Sequence, residues 1–201
     1  MKLIFIGVQG SGKGTQAKVI AEKLKIAHIS TGDLLRSLSG KLKEEADSYM
    51  LQGSLVPDEF IIKILKESLS QKDCQLGFIL DGFPRNIKQA LALDNITKID
   101  KVIEIHISDS EAIKRVSSRI SCKNCGSVFN ELTNPPKKQG ICDKCHSKIV
   151  KRADDTEEAM KKRLETYHSE TKLILAHYKT IKIDGEQDIT KVTDDILEFL
   201  S

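Results

Sequence analysis

The run Gly7-Val8-Gln9-Gly10-Ser11-Gly12-Lys13-Gly14-Thr15 interleaves glycines with one lysine, after an apolar stretch and before a helical pattern. Glycines let a backbone turn sharply and aim successive N–H groups inward, which makes a cradle for an anion. A helix opening behind the loop adds the positive end of its dipole. Lys13 then supplies a cation for the terminal phosphates of a nucleoside triphosphate. The bland alternative is a glycine-rich strand-to-helix turn. In the general motif a Ser or Thr directly follows the lysine and ligates Mg²⁺. Here Gly14 stands in that place and Thr15 comes one later. The ion is therefore expected to be held mainly by phosphates and water, with a carboxylate nearby. Asp81, at the end of an apolar run, is the best-placed carboxylate; the competing reading is a turn residue, since Asp-Gly is a common turn pair.

A second group of residues suggests a second anion. Asp81-Gly82-Phe83-Pro84-Arg85 leaves an apolar run at the end where open α/β sheets bind ligands. Arg85 has the fork geometry that suits a phosphate. Ser30-Thr31-Gly32-Asp33-Leu34-Leu35-Arg36 also leaves such a run; Ser30 or Thr31 can cap the next helix, and Arg36 falls in its early turns. Arg115 and Arg119 are four apart in a helical pattern and are expected on one face. Ser108 with Glu111 makes a capping box for that helix. Arg163 lies in another helix, for which Asp155 serves as cap with Glu158 three residues on, and Arg152 precedes it. For any one of these arginines a solvated surface charge is the better reading; the case rests on several of them near the sheet edge and the two insertions.

Cys122-x₂-Cys125 and Cys142-x₂-Cys145 are two knuckles separated by sixteen residues, the spacing of a zinc ribbon. Four thiolates close a tetrahedral site with no open position, so the ion would be structural. In a segment this poor in apolar residues it would supply much of the folding energy. Gly126 and Gly140 permit tight backbone. His146 competes with Cys145 as fourth ligand, although Cys is the simpler choice. Cys74 stands apart and reads as a buried apolar side chain.

These residues need elements to position them. Lys2–Ile6, Ala27–Ile29, Phe78–Leu80, Val102–Ile107 and Ile181–Ile183 read as strands. Thr15–Leu24, Phe60–Leu69, Ile87–Asp94, Ser110–Ile120 and Glu157–Tyr178 read as helices between them. Alternation of this kind implies βαβ units, hence a five-stranded parallel sheet with helices on both faces. Residues 30–57 (two short helical patterns) and 121–151 (the cysteines and Pro135-Pro136) break the alternation and read as insertions at the sheet edge. With 32 basic against 29 acidic residues, the net charge of +3 gives no ground for a bulk nucleic-acid or membrane binder. The first apolar run is about four residues, too short for a signal peptide or a membrane span. A reducing cytoplasm is expected, with the five cysteines as thiols or metal ligands.

Together the segments GSGKGTQA (10–17), STGDLLR (30–36), GSLVPDE (53–59), LDGFPRNIKQA (80–90), the four-cysteine insertion with NPP (134–136), KRADDTEEAMKKRLETYH (151–168) and IDG (183–185) resemble the adenylate kinase family, in its bacterial form with a long, zinc-bearing lid. The resemblance covers nearly the whole chain, in the family's order. It implies a phosphate-loop core of residues 1–29, 57–120 and 157–201, a monophosphate-binding domain of 30–56 and a lid of 121–156. It implies ATP contacts at Gly10, Ser11, Gly12, Lys13, Gly14, Thr15, Arg115, Arg119, Val128, Phe129 and Gln187, with Arg115 stacking on adenine. It implies AMP contacts at Thr31, Arg36, Ser54, Leu55, Val56, Gly82, Phe83, Pro84, Arg85, Gln89, Arg152 and Arg163. Lys13, Arg85, Arg119, Arg152 and Arg163 match the cations around the transferred phosphoryl group, with Asp81 toward Mg²⁺ and the four cysteines on Zn²⁺. Gln9 stands where the family usually has Pro, Ser118 and Ile120 where Gly and Arg are common, and Thr133 where an aromatic is usual. The rival readings are a kinase for another nucleoside monophosphate, and a nucleic-acid-binding ATPase with a zinc ribbon. Near-neutral charge and few aromatics in the ribbon weigh against the second. No heptad seam is visible, so a monomer is expected.

Overall fold

In the computed structural model, which describes residues 1–201, the apolar runs pair much as their sequence suggests. The chain runs β1 (Lys2–Ile6), α1 (Lys13–Leu24), β2 (Ala27–Ser30), α2 (Thr31–Ser37), α3 (Gly40–Met50), α4 (Asp58–Leu69), a 3₁₀ turn at Lys72–Leu76, β3 (Phe78–Asp81), α5 (Ile87–Asp94) and β4 (Lys101–His106). It continues through α6 (Asp109–Ser117), β5 (Arg119–Cys122), β6 (Val128–Asn130), β7 (Ile149–Val150), α7 (Glu157–Ser169), α8 (Ile174–His177), β8 (Thr180–Asp184) and α9 (Ile189–Leu200).

Strands β2-β3-β1-β4-β8, in that spatial order, form a parallel sheet. Alternation along β1 sends Leu3 and Phe5 to one face and Ile4 and Ile6 to the other. On the first face they meet Ala17 and Ile20 of α1 and Val192 and Ile196 of α9. On the second they join a larger core with Leu65 of α4, Leu93 of α5, Val116 of α6 and Leu164 of α7. Both faces are therefore covered, as a parallel sheet requires. Register sets Asp81 level with Phe5 and Ser30. The phosphate loop, the Ser30–Arg36 segment and the Gly82–Arg85 segment thus leave one edge of the sheet side by side. No helix is long and apolar enough to cross a membrane.

Five local expectations are corrected. The helix expected to reach Ile120 stops at Ser117, and Arg119 begins β5 instead of sharing a helical face with Arg115. Ser118 turns the chain there: its Oγ donates to Lys114 O at 2.9 Å and meets Asn130 Oδ1 at 3.1 Å. The helix expected over Glu157–Tyr178 breaks after Ser169, where the Thr171 hydroxyl bonds Arg85 O at 2.8 Å. Its cap is Thr156, whose side chain accepts from Ala159 N, because the neighbouring Asp155 carboxylate is engaged by arginines. At α6 only half the capping box forms: Ser108 Oγ accepts from Glu111 N, while Glu111 turns to Arg115. The cysteine segment, for which no strands were expected, forms a three-stranded antiparallel sheet, β6-β5-β7.

Candidate active site

Five helices start where a strand of the large sheet ends. Four of them begin with a side-chain cap: Ser30 on α2, Asn86 on α5, Ser108 on α6 and Asp188 on α9. The exception is α1. Gly12, in the left-handed region at φ 91°, precedes it, no side chain caps it, and its first turn holds no acid. Its N–H groups are left open to an anion, which is what a phosphate receptor needs. Lys13 lies over the loop, its Nζ donating to Val8 O at 3.1 Å. A Cβ added at Gly14 would stand 2.9 Å from Asp81 Oδ2, so the residue after the lysine lacks a side chain because the carboxylate occupies that space.

The loop floors a cavity of about 860 Å³. Every residue matched to ATP or AMP in the sequence lines it, except Pro84, which borders a small adjoining pocket behind Arg85. On one side are Thr31, Arg36, Ser54–Val56, Gly82, Phe83, Arg85 and Gln89; on the other are Arg115, Val128, Phe129 and Gln187. Arg119, Arg152 and Arg163 also line it. Thr31 Oγ1 donates to Gly82 O at 3.0 Å, and Arg85 Nε to the same oxygen at 2.8 Å, so the two outgoing segments brace each other. Arg115 is held by Glu111 Oε1, at 2.7 Å, and by Gly185 O, at 2.9 Å. Phe129 packs into the small core of the β5–β7 sheet, with Ile120, Cys122, Cys142 and Ile149.

The cations are crowded. Burial pulls Lys13 down to about 8, and Arg85, Arg119 and Arg163 add to the effect against the opposing pull of Asp81. Burial, with Arg163 next, lowers Arg85 to about 10; burial and Arg119 do the same to Arg152. Perturbed groups gathered in one cleft mark a functional site, and cations crowded in this way suit a polyanion. Burial alone would raise the Asp81 carboxyl, but the His28 imidazole 3.6 Å away and the Lys13 and Arg85 charges hold it below its ordinary value. An ionised carboxylate beside the phosphate cradle fits a hard divalent cation held through water.

Sequence reasoning missed the acids that aim the arginines. Arg119 donates from Nε to Asp155 Oδ2 at 2.8 Å and from Nη2 to the other carboxylate oxygen. Arg163 donates to Asp154 Oδ2 at 2.6 Å, to Asp154 O at 3.0 Å and to Met50 O at 3.1 Å, with Asp155 at 3.6 Å. Burial pushes the Asp154 carboxyl up, and the Arg163 charge and hydrogen bond more than reverse this. The Asp-Asp pair after Arg152 was the available signal. Gln9 also does more than its place in the loop suggests. With its amide oxygen toward the Arg119 guanidinium it accepts from Nη2 at 2.8 Å and Nη1 at 3.0 Å, tying the phosphate loop to β5.

The four cysteine sulfurs lie within 4.8 Å of one another, with Cys122–Cys145 at 3.4 Å and Cys125–Cys142 at 3.5 Å. A tetrahedral thiolate site with Zn–S near 2.3 Å needs sulfurs roughly 3.8 Å apart, so this donor set fits zinc. Histidine is not among the donors. His146 has a backbone role instead. In each knuckle a residue at positive φ closes the turn: Gly126 (φ 68°) donates to Cys122 O, and His146 (φ 60°) to Cys142 O. Gly140 (φ 75°), two residues ahead of the second knuckle, also takes the left-handed backbone. Cys74 is buried away from the cluster, as anticipated.

Comparison with known proteins points to one family. The family model described as adenylate kinase matches residues 5–183. An adenylate kinase of Caldicellulosiruptor bescii is 44% identical, over 100% of this chain and 99% of that one. One from Methanocella arvoryzae is 46% identical over 98% and 96%, and one from Archaeoglobus fulgidus 44% over 100% and 98%.

Proposed function

We propose, since the chain belongs to the adenylate kinase family, that it transfers the terminal phosphoryl group of ATP to AMP, reversibly, giving two ADP. A single observation carries the assignment of parts. The uncapped end of α1, with Lys13, meets the half-buried Arg85, Arg119, Arg152 and Arg163 in one cavity, with one arm on each side of the loop that follows the central strand. The arm lined by Gln187, Arg115 and Val128 takes ATP; the arm lined by Thr31, Arg36 and Gln89 takes AMP.

An AMP phosphate oxygen attacks the γ-phosphorus in line while the bond to the β–γ bridging oxygen breaks, and ADP leaves. The attacking phosphate is already an anion, so no general base and no covalent enzyme intermediate are needed; catalysis is positioning and charge stabilisation. Lys13, Arg85, Arg119, Arg152 and Arg163 surround the equatorial oxygens. Asp81, through water, would hold Mg²⁺, which when bound shields charge on the phosphates. Residues 30–56 and 121–156 act as closing bodies that exclude water from the transfer. The four cysteines would hold structural zinc. Near-balanced charge supports a protein without a nucleic-acid partner; the lack of a heptad seam favours a monomer, and cysteines kept as thiols or metal ligands favour a reducing cytoplasm.

Lys13→Met tests the assignment. ADP formation from ATP and AMP is expected to fall roughly a thousandfold, about 4 kcal/mol of barrier. A fall below about tenfold, roughly 1.4 kcal/mol, would overturn the mechanism.

A further inference from the structure

Gln89, 2% exposed, has an amide whose orientation is fixed by its partners. Its Oε1 accepts from Arg85 N–H at 2.8 Å, a group that can only donate. Its Nε2 donates to Asp58 Oδ1 at 2.8 Å, an atom of a carboxylate at the start of α4. Asn86 Nδ2 donates to the same oxygen at 3.0 Å, while Asn86 Oδ1 caps α5 through Gln89 N at 2.9 Å. Asp58 is not part of the cavity wall, whereas Gln89 is.

We propose that Asp58 and the Arg85 amide lock the Gln89 side chain in one of its two orientations, and so make Asp58 a positioning residue that selects 6-aminopurine over 6-oxopurine monophosphates. The inference rests on the reading of Gln89 as the group that meets the base of the monophosphate. With both partners satisfied, the amide still has one oxygen lone pair and one N–H for the cavity. An adenine edge offers the complement, an exocyclic N–H donor beside a ring-nitrogen acceptor. A hypoxanthine edge offers the reverse, a carbonyl beside a ring N–H. A free glutamine would turn over and pair with either. Turning this one sets its NH₂ against Arg85 N–H and its oxygen against the Asp58 carboxylate, leaving two groups unpaired in a buried place. Specificity of this kind comes from the penalty on the wrong ligand.

The test is steady-state kinetics at saturating ATP with AMP and with inosine monophosphate, which differ only at this edge. The wild-type chain, Asp58→Ala, Asp58→Asn and Gln89→Leu are compared by their AMP-to-IMP ratio of kcat/KM. That ratio is indifferent to any change in folded fraction, and alanine at the first helical position keeps α4. Asp58→Ala is expected to lower the ratio about tenfold, mainly through KM, with kcat for AMP within about threefold of wild type. Asp58→Asn keeps an acceptor oxygen and should hold the ratio within about threefold. Equal losses on both substrates in Asp58→Ala, or a loss in Asp58→Asn as large as in Asp58→Ala, would overturn the lock. If Gln89→Leu leaves the ratio intact, the adenine assignment fails and the lock with it. If Gln89→Leu collapses the ratio and Asp58→Ala does not, only the lock fails.

Discussion

The helical segment α2–α3 and the β5–β7 sheet roof the same cavity, but different physics holds each of them. Leu35 of α2 and Ala46 of α3 belong to the main core, continuous with Ile4, Leu80 and Leu65. The β5–β7 sheet has a separate cluster of five residues, two of them cysteines, that touches no part of that core. So small an apolar cluster cannot offset the ordering of some thirty residues. The four-cysteine set can supply a metal tie, which would fix the sheet without extending packing into the body of the protein. The difference suggests a division of labour. One roof shares the stability of the core, while the other is a self-contained plate joined to the rest mainly by polar contacts. Those contacts include Arg119 with Asp155 and Gln9, and an exposed Lys144–Glu22 pair at 3.7 Å. A plate held by polar contacts can swing without tearing apolar surface apart.

The largest effect expected from this contrast is at the cysteines. Cys142→Ser, or removal of the ion with a chelator, should abolish zinc content and cut turnover by about a hundredfold or more, because water then reaches the transfer site. Amide exchange in β5–β7 should rise to that of an unfolded segment, while β1, β3 and β4 stay protected. Loss of protection in the large sheet as well would show that the two roofs are not independent. A purified chain without metal, melting the same with and without chelator, would remove the metal from the account altogether.

Next in size are paired truncations in the two apolar clusters. Leu35→Ala should cost about 2–3 kcal/mol of global stability and lower the melting temperature by roughly 4–10 °C. Ile120→Ala removes a similar side chain from the plate. It should move the main transition by about 1 °C at most while speeding exchange in β5–β7, because that region opens locally. Calorimetry on both variants checks this, and equal shifts would break the comparison.

The division was partly legible in the sequence. The large sheet was, because buried parallel strands are short apolar runs that end in Gly, Ser or Asp, and five of these recur. The cysteine spacing was as well, because a metal site demands it. What was not legible was set by contacts across the fold. Helical spacing continues through Arg115 and Arg119, and only the Ser118–Asn130 contact in the folded chain stops α6. Asp155 and Thr156 are equally good caps on paper; the two guanidiniums that reach Asp155 decide between them. His146 carries no sign that it takes the conformation its counterpart gives to a glycine. Helix α9 is a different matter. Val192, Ile196 and Leu200 at four-residue spacing are a plain amphipathic signal, so this helix is legible from the sequence alone.

The smallest effect tests how the two roofs act on one cation. Lys13 sits near 8 because burial disfavours its charge and because Arg85, Arg119 and Arg163 repel it. Of these, Arg119 belongs to the plate, Arg163 is bonded to Met50 O of the helical segment, and Arg85 lies between. Bound phosphates raise the lysine pKa, since they favour its charged form. The affinity this adds is fully present below the empty-site value of about 8 and is lost as pH rises through it toward the bound value. The dissociation constant for MgATP should therefore weaken several-fold between about pH 7.5 and 9.5, a range in which the nucleotide itself is fully ionised. Calorimetric titration in buffers of different ionisation enthalpy should show proton uptake on binding near pH 8. Lys13→Met should bind weakly at every pH, with no slope in this range. After chelation Arg119 no longer closes over the site and burial relaxes, so the inflection should move up toward the ordinary lysine value of 10.5. If it stays where it was, the depression of Lys13 belongs to Arg85, Arg163 and the core alone, and the plate contributes closure but no field.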